Sequence, residues 1–144
     1  MIVYAESSAV VAWLLEEPRA ADVSAALDEA ERIVTSTLTR AECARAVVRG
    51  VSLGRLTKRK AGELLQALAD TEASWYRLDL SDRVLAGASV PFPVEPVRTL
   101  DAIHLASADI ARATFGDVGV LSFDDRVRAN AAALGMTVLP SVAA

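Results

Sequence analysis

The sequence contains few of the features that mark secreted, disulfide-linked or membrane proteins. Cys43 is the single cysteine among 144 residues, so no disulfide can form within the chain. No apolar run approaches the roughly 18 residues that a membrane-spanning helix needs. The first residues also lack a basic segment followed by an apolar stretch, which is the pattern of a secretion signal. These absences favour a cytoplasmic protein without a membrane segment.

The chain also lacks an excess of basic charge. It has 19 acidic and 15 basic side chains and a formal net charge of −4, which argues against a protein that coats nucleic acid. Seven of the 15 basic residues nevertheless fall between Arg40 and Lys60. This cluster is either a solvated helix surface or a track for phosphate groups. A hydrophobic content of 53% is enough for a core, and we expect residues 1–144 to form one domain.

Short β-forming segments alternate with helical patterns along the chain. Strands are expected at 2–5, 33–36, 75–78, 118–123 and 136–139. Helices are expected at 9–16, 18–30, 39–51, 57–72, 81–88, 100–113 and 125–134. Ser7 and Ser8 are expected to cap the first helix, Thr39 to Glu42 forms a capping-box pattern, and a proline-rich stretch at 90–97 predicts a loop. The alternation predicts an α/β fold with a parallel sheet of four to five strands covered by helices on both faces.

Four acidic residues fall where such a sheet would bring them together. Ligands of open parallel sheets bind beyond the carboxyl ends of the strands. Glu6 and Asp124 follow the first and fourth predicted strands, and Glu42 and Asp101 lie near the starts of helices that begin at the same edge. Each of them alone is more often a helix cap or a partner of the helix dipole. Their agreement on one edge predicts a shared acidic site.

A shared acidic site would need a cation, because four carboxylates at one edge repel each other. Oxygen ligands suit Mg²⁺ or Mn²⁺ better than zinc, and no cluster of cysteine and histidine competes with that choice. Mg²⁺ held by a few carboxylates keeps open positions for water, which can then attack a phosphodiester. The sequence therefore predicts a metal-dependent nuclease whose catalytic, metal-binding residues are Glu6, Glu42, Asp101 and Asp124.

Four segments, in order along nearly the whole chain, resemble the motifs of the PIN-domain family, and within it the VapC-like toxins of type II toxin–antitoxin pairs. They are VYAESSAVV at 3–11, TSTLTRAE at 35–42, TLDAIHLASA at 99–108 and LSFDDRV at 121–127. The resemblance implies a PIN-like α/β/α sandwich and a Mg²⁺-dependent endoribonuclease site. It also implies a homodimer and a cognate antitoxin that blocks the acidic groove.

The first acidic position departs from the family pattern, since the family usually has Asp where this chain has Glu6. Glu reaches one methylene further, so either the ion shifts or the side chain folds back. The neighbouring Ser7 could hold a carboxylate or a metal-bound water, or it could only cap the helix. Asp125 is expected to point away from Asp124 and to cap the last helix. It is kept, with Ser7, as a candidate for a residue that supports the metal ligands without binding the ion.

Two arginines are predicted to bind the RNA backbone beside the site. Arg45 and Arg49 follow Glu42 by three and seven residues, which places them within roughly 60° and 20° of its direction on a helix. Arg40 is expected to point to the opposite side. His104 shares a helix face with Asp101 and is expected to be packed and hydrogen-bonded rather than a general base.

Two alternatives remain open at the sequence level. A non-catalytic PIN-like module that binds a protein partner would explain Glu6 as a first step in losing the metal. A DNA nuclease of related fold is the second alternative, although the chain is short for the additional helices with which such enzymes grip DNA. Nothing in the sequence identifies the RNA target.

Overall fold

A computed structural model describes residues 1–141, which form a sheet between layers of helices. The last three residues of the predicted domain 1–144 lie outside the described residues. The strands are β1 (Ile2–Ala5), β2 (Arg32–Ser36), β3 (Tyr76–Leu78), β4 (Val118–Leu121) and β5 (Thr137–Leu139). The helices are α1 (Ser7–Leu14), α2 (Ala20–Glu29), α3 (Thr37–Ser52), α4 (Lys58–Glu72), α5 (Asp82–Ala88), α6 (Thr99–Phe115) and α7 (Asp125–Ala133).

The sheet is parallel throughout, with the strand order β3-β2-β1-β4-β5. β1 lies at its centre, where Tyr4 is in register with Val34 of β2 and Val120 of β4. From β1 the chain adds strands first on one side and then on the other, so the order reverses between β1 and β4. Ligands of open α/β sheets bind at the carboxyl end of such a reversal. The predicted α/β sandwich is confirmed, with five strands.

The two faces of the sheet are covered by different helices. Tyr4, Val34 and Val120 belong to a buried cluster with residues of α6 and α7. The alternate residue Ala5 instead packs with α1, α3 and α4. Trp75 was predicted to open the third strand, but it precedes β3 and packs in this second cluster. Because both faces are buried, β1 and β4 contain almost only apolar residues, as parallel strands between two layers do.

The first helix begins two residues earlier than predicted. It starts at Ser7, and the residue that caps it is Glu6, whose carboxylate accepts a hydrogen bond from the backbone N–H of Ser8. The prediction that Ser7 and Ser8 cap the helix was therefore wrong. β1 passes into α1 without a loop, and the first acidic residue after the strand takes the cap.

The third helix also begins early. Ser36, the last residue of β2, has an extended backbone, and its hydroxyl accepts a hydrogen bond from the N–H of Leu38. Ser36 therefore caps α3, and the predicted capping box from Thr39 to Glu42 was wrong. Glu42 lies in the second turn of the helix instead of its first.

Most other predicted elements are present, with shifted ends. Thr57 and Ser81 cap α4 and α5 with their hydroxyls. β4 ends at Leu121 instead of residue 123, and α6 extends to Phe115 instead of residue 113. The predicted loop at 90–97 contains no helix or strand, and the side-chain amide of Asn130 holds it through both backbone groups of Val94.

Within residues 1–141, no helix combines the length and apolar character that crossing a bilayer requires.

Candidate active site

Glu6 lies at the carboxyl end of β1 and is almost fully buried, with 3% of its surface exposed. Its Oε1 accepts hydrogen bonds from the hydroxyl of Ser7 (2.8 Å) and the N–H of Ser8 (3.1 Å). Its Oε2 accepts from the hydroxyl of Ser122 at 2.6 Å and from the hydroxyl of Ser8. The longer glutamate side chain is therefore folded back onto three serines from the ends of two adjacent strands. Folding back was one of the two expected consequences of Glu at this position.

Ser7 joins the first acidic residue to the second. Its hydroxyl oxygen lies 2.8 Å from Oε1 of Glu6 and 2.9 Å from Oε1 of Glu42. His104 of α6 reaches the same oxygen of Glu42 with its Nε2, at 2.6 Å. Side chains from α1, α3 and α6 thus meet at one point, where the two carboxylates share the single hydroxyl proton of Ser7. A supporting role of Ser7 in metal binding stays a prediction.

Asp101 and Asp124 form the other half of the site. Asp101 lies in the first turn of α6, and Asp124 caps α7 by accepting hydrogen bonds from the N–H groups of Arg126 (2.9 Å) and Val127 (3.0 Å). Arg98 lies between the two carboxylates. Its Nε is 3.4 Å from Oδ2 of Asp101, and its Nη2 is 3.7 Å from Oδ2 of Asp124. Arg98 is thus the positive charge within the acidic site.

Asp125 does not have its predicted capping role. It is the first residue of α7 and is exposed, while the preceding Asp124 provides the cap. α7 begins at Asp125 as predicted, and the cap is the residue before it, Asp124, whose backbone is extended. No hydrogen bond within residues 1–141 ties the Asp125 side chain to the site.

The electrostatics of the site centre on Asp101. Burial raises the pKa of its carboxyl group, and the negative charges of Asp124 and Glu6 raise this pKa further. Arg98 lowers it, but by less than these effects raise it. Burial and two neighbouring carboxylates thus disfavour ionised Asp101, and a bound metal ion would supply positive charge that favours it.

The side chains fit a hard cation by their chemistry, although their present rotamers do not yet surround one. The available donors are carboxylate oxygens, as Mg²⁺ and Mn²⁺ prefer. Within residues 1–141, no three Asp, Glu, His or Cys side chains converge closely enough to hold one ion. Serines occupy both oxygens of Glu6, and Arg98 lies against Asp101 and Asp124. Rotation of Arg98 away from the site would leave both aspartates available as ligands.

Several contacts of the site could not be found by reading the sequence. Ser8, Ser122 and Arg98 each contact an acidic residue. Ser8 and Ser122 lie within the segments 3–11 and 121–127, but nothing there singles them out for this role, and Arg98 lies outside the four segments. Their partners are brought together only by the pairing of β1 with β4 and by the packing of α6. Position at a strand end was the one signal available, and Ser122 directly follows β4.

The predicted RNA-binding arginines lie on the outer surface of α3. Arg45 and Arg49 are exposed and line a shallow groove with Val48 and Leu53. Neither arginine forms an ion pair within the described part of the chain. Their role in binding RNA stays a prediction.

Arg40 has a different environment from Glu42, as predicted. It forms an ion pair with Glu72, a buried residue at the end of α4, whereas Glu42 contacts α1 and α6. The basic residues between 40 and 60 therefore do not form one continuous surface with one role. Arg40 stabilises the contact between α3 and α4, whereas Arg45 and Arg49 are exposed on the outer surface of α3.

Comparison with known proteins identifies the family. The PIN domain family matches residues 3–133. The chain belongs to the PIN domain family. A curated relative, Ribonuclease VapC46 of Mycobacterium tuberculosis, is 38% identical over 138 residues, which cover 95% of each chain. Ribonuclease VapC35 of the same species is 30% identical over 140 residues, which cover 96% of each chain.

A solved structure supports the same fold. The crystal structure of VapBC2 from Rickettsia felis bound to a DNA fragment from their promoter contains a chain that superposes with a TM-score of 0.61. The match covers 96% of this protein and 97% of that chain at 12% identity. At this identity the likeness concerns the fold, and it agrees with the sequence resemblance to VapC-like PIN domains, which the curated relatives confirm.

Proposed function

We propose that this PIN-domain protein is a metal-dependent endoribonuclease that acts as the toxin of a type II toxin–antitoxin pair. The observation that carries the proposal is the group of carboxylates at the carboxyl edge of β1 and β4, where burial and the charges of Asp124 and Glu6 raise the pKa of Asp101. Relatives named as ribonucleases match almost the whole chain, which supports an action on RNA.

The proposed metal ligands are Asp101, Asp124, Glu42 and Glu6, and the proposed ion is Mg²⁺, with Mn²⁺ as a substitute. When bound, the ion supplies an activated water and stabilises the charge that develops on the phosphodiester oxygens. Glu6 is held by serines on both oxygens, so it contributes charge at a fixed position. Arg45 and Arg49 are proposed to bind the RNA backbone through its phosphates.

The proposed partner is an antitoxin protein that covers the acidic edge. This part of the proposal is supported by the structural neighbour, which belongs to VapBC2 of Rickettsia felis. We also propose that the protein forms a homodimer and, because its substrate is cellular RNA, that it acts in the cytoplasm.

The substitution Asp101→Asn tests the site. It keeps the size of the side chain but removes one negative charge, so RNA cleavage should fall by more than the roughly 10–100-fold that is typical when a residue supporting a metal ligand is lost. Initial rates on a labelled RNA, with saturating Mg²⁺, measure this effect. Asp109→Asn is a matched control, because Asp109 lies on the same helix but is exposed and paired with Arg112.

The same assay separates the alternatives. Equal rates for the parent protein and Asp101→Asn would show that the site is wrongly assigned. Faster cleavage of a matched DNA strand would support a DNA nuclease instead. A parent protein that binds no Mg²⁺ or Mn²⁺ at millimolar concentration, but binds a protein partner tightly, would support the non-catalytic module.

A further inference from the structure

A chain of buried polar groups leads from the centre of the sheet to the acidic site. The hydroxyl of Tyr4 in β1 lies 2.8 Å from Nδ1 of His104, and Nε2 of His104 lies 2.6 Å from Oε1 of Glu42. Tyr4 is fully buried, and His104 is 1% exposed. Both nitrogens of the imidazole ring therefore have a partner, and the ring has a single orientation that serves both contacts.

The hydrogen-bond partners of His104 also determine where the protons lie along this series of polar groups. A tyrosine hydroxyl carries its proton at neutral pH, so Tyr4 can donate to Nδ1 of His104, 2.8 Å away. Nδ1 is then the acceptor, and the ring proton is on Nε2. An ionised carboxylate only accepts hydrogen bonds, so Nε2–H donates to Glu42. Each donor along the chain faces an acceptor.

The result of this arrangement is a Glu42 carboxylate with one occupied and one available oxygen. Oε1 is held by His104 and by Ser7. Oε2 accepts no hydrogen bond from residues 1–141, and the side chain is 26% exposed. Glutamate has three rotatable bonds, and α3 alone would leave the carboxylate free to move. The contact with His104 removes that freedom.

We propose that His104, oriented by Tyr4, is a positioning residue that holds the Glu42 carboxylate ready for the divalent cation. This inference rests on the proposed ribonuclease function and assigns a role to residues outside the predicted site. His104 does not itself touch the ion. It acts as the hydrogen-bonded groups behind metal-binding carboxylates commonly do, by fixing the direction of the ligand.

Titration of Mn²⁺ into the metal-free full chain, followed by calorimetry, tests the proposal without using activity. His104→Leu removes the donor to Glu42 and should weaken Mn²⁺ affinity roughly 10–100-fold. His104→Gln can place an amide N–H near the former Nε2 and should recover most of the affinity. Tyr4→Phe keeps the ring in the core but frees Nδ1, and we expect an intermediate loss.

Thermal melting of each variant, followed by circular dichroism, checks that the fold is kept. Leu105→Val is the control for packing: Leu105 is buried beside His104, and this substitution removes core contacts without changing a polar group. It should leave Mn²⁺ affinity unchanged. If His104→Leu does not fold, the comparison between Tyr4→Phe and the parent protein decides the question.

The proposal is overturned if Tyr4→Phe and His104→Leu bind Mn²⁺ as tightly as the parent protein. It is also overturned if His104→Gln is as weak as His104→Leu, since His104 would then serve packing alone. Asp101→Asn separates this inference from the proposed function. If Mn²⁺ binding is weakened by Asp101→Asn but not by the substitutions of His104 or Tyr4, the proposed metal site stands and the positioning role of His104 is refuted.

Discussion

At the scale of single residues, Asp101 shows what the acidic site costs the fold. Burial and the charges of Asp124 and Glu6 raise its pKa above the unfolded value of about 3.9. A carboxyl group whose pKa is raised in the folded state binds its proton more tightly there than in the unfolded chain. The protein therefore loses stability as the pH rises through this range, and ionised Asp101 is destabilising at neutral pH.

Asp101→Asn should for this reason melt at a higher temperature than the parent protein at neutral pH in the absence of metal. The difference should shrink as the pH falls towards about 4 and be absent below it, because folded Asp101 of the parent takes up its proton at a higher pH than the unfolded chain does. Melting curves between acidic and neutral pH measure it, with Asp109→Asn as the exposed control. Equal melting temperatures at neutral pH, or a difference that grows in acid, would contradict the expected sign.

The sequence was informative about the acidic residues themselves but not about their neighbours. Glu6, Asp101 and Asp124 could be placed at one edge of a sheet from strand and helix order alone. The contacts of Ser8, Ser122 and Arg98 could not be predicted, because they depend on side-chain direction after the strands have paired. Short polar side chains at strand ends are common, and they give no pattern that separates a partner from a cap.

At the scale of helices and strands, two of the proposed ligands are also helix caps. Glu6 caps α1, and Asp124 caps α7. Each carboxylate therefore stabilises the start of a helix while facing the site. The helix starts hold these residues at the carboxyl edge of the sheet, and the backbone N–H groups partly balance their charge.

Substitutions of Asp124 separate its two roles. Asp124→Asn keeps an oxygen that accepts from the N–H groups of Arg126 and Val127, whereas Asp124→Ala removes it. Asp124→Ala should therefore be about 1 kcal/mol less stable than Asp124→Asn, although both variants lose the charge and RNA cleavage. Urea unfolding of the two variants measures the difference. Identical unfolding curves would show that the cap contributes nothing.

The existence and type of the elements were more predictable than their ends. Alternating apolar segments and helical patterns identified strands and helices because burial imposes those periods. The starts of α1 and α3 were misplaced because β1 and β2 pass into them without a loop. Where a strand runs directly into a helix, the last extended residue is the cap, and the sequence does not show which residue that is.

At the scale of the whole molecule, metal binding should be visible as stability. An ion that binds only the folded chain stabilises it by about 2.7 kcal/mol at 100 times its dissociation constant. For a chain of this size, that corresponds to a rise of roughly 5–10 °C in Tm. Melting curves with increasing Mn²⁺ should show this rise for the parent protein and little for Asp101→Asn. An equal rise in both would indicate that the ion binds elsewhere.

The overall architecture followed from the sequence, but the order of the strands did not. The alternation of elements predicts a parallel sheet with helices on both faces, as observed. That β1 is central, with β2 on one side and β4 on the other, depends on which strands pair over long separations. This pairing places the ends of β1 and β4 side by side, where Glu6 and Ser122 meet.

Arg98 gives the site a counterion of its own. Its side chain is 69% exposed, and its guanidinium lies against Asp101 and Asp124 through long, solvent-screened contacts. A divalent ion that binds these two carboxylates would therefore have to displace the guanidinium of Arg98, a monovalent cation that is attached to the protein. The apparent affinity for the ion would then reflect the difference between the ion's attraction to the two carboxylates and that of Arg98. When magnesium is scarce, Arg98 would still neutralise part of the charge of Asp101 and Asp124.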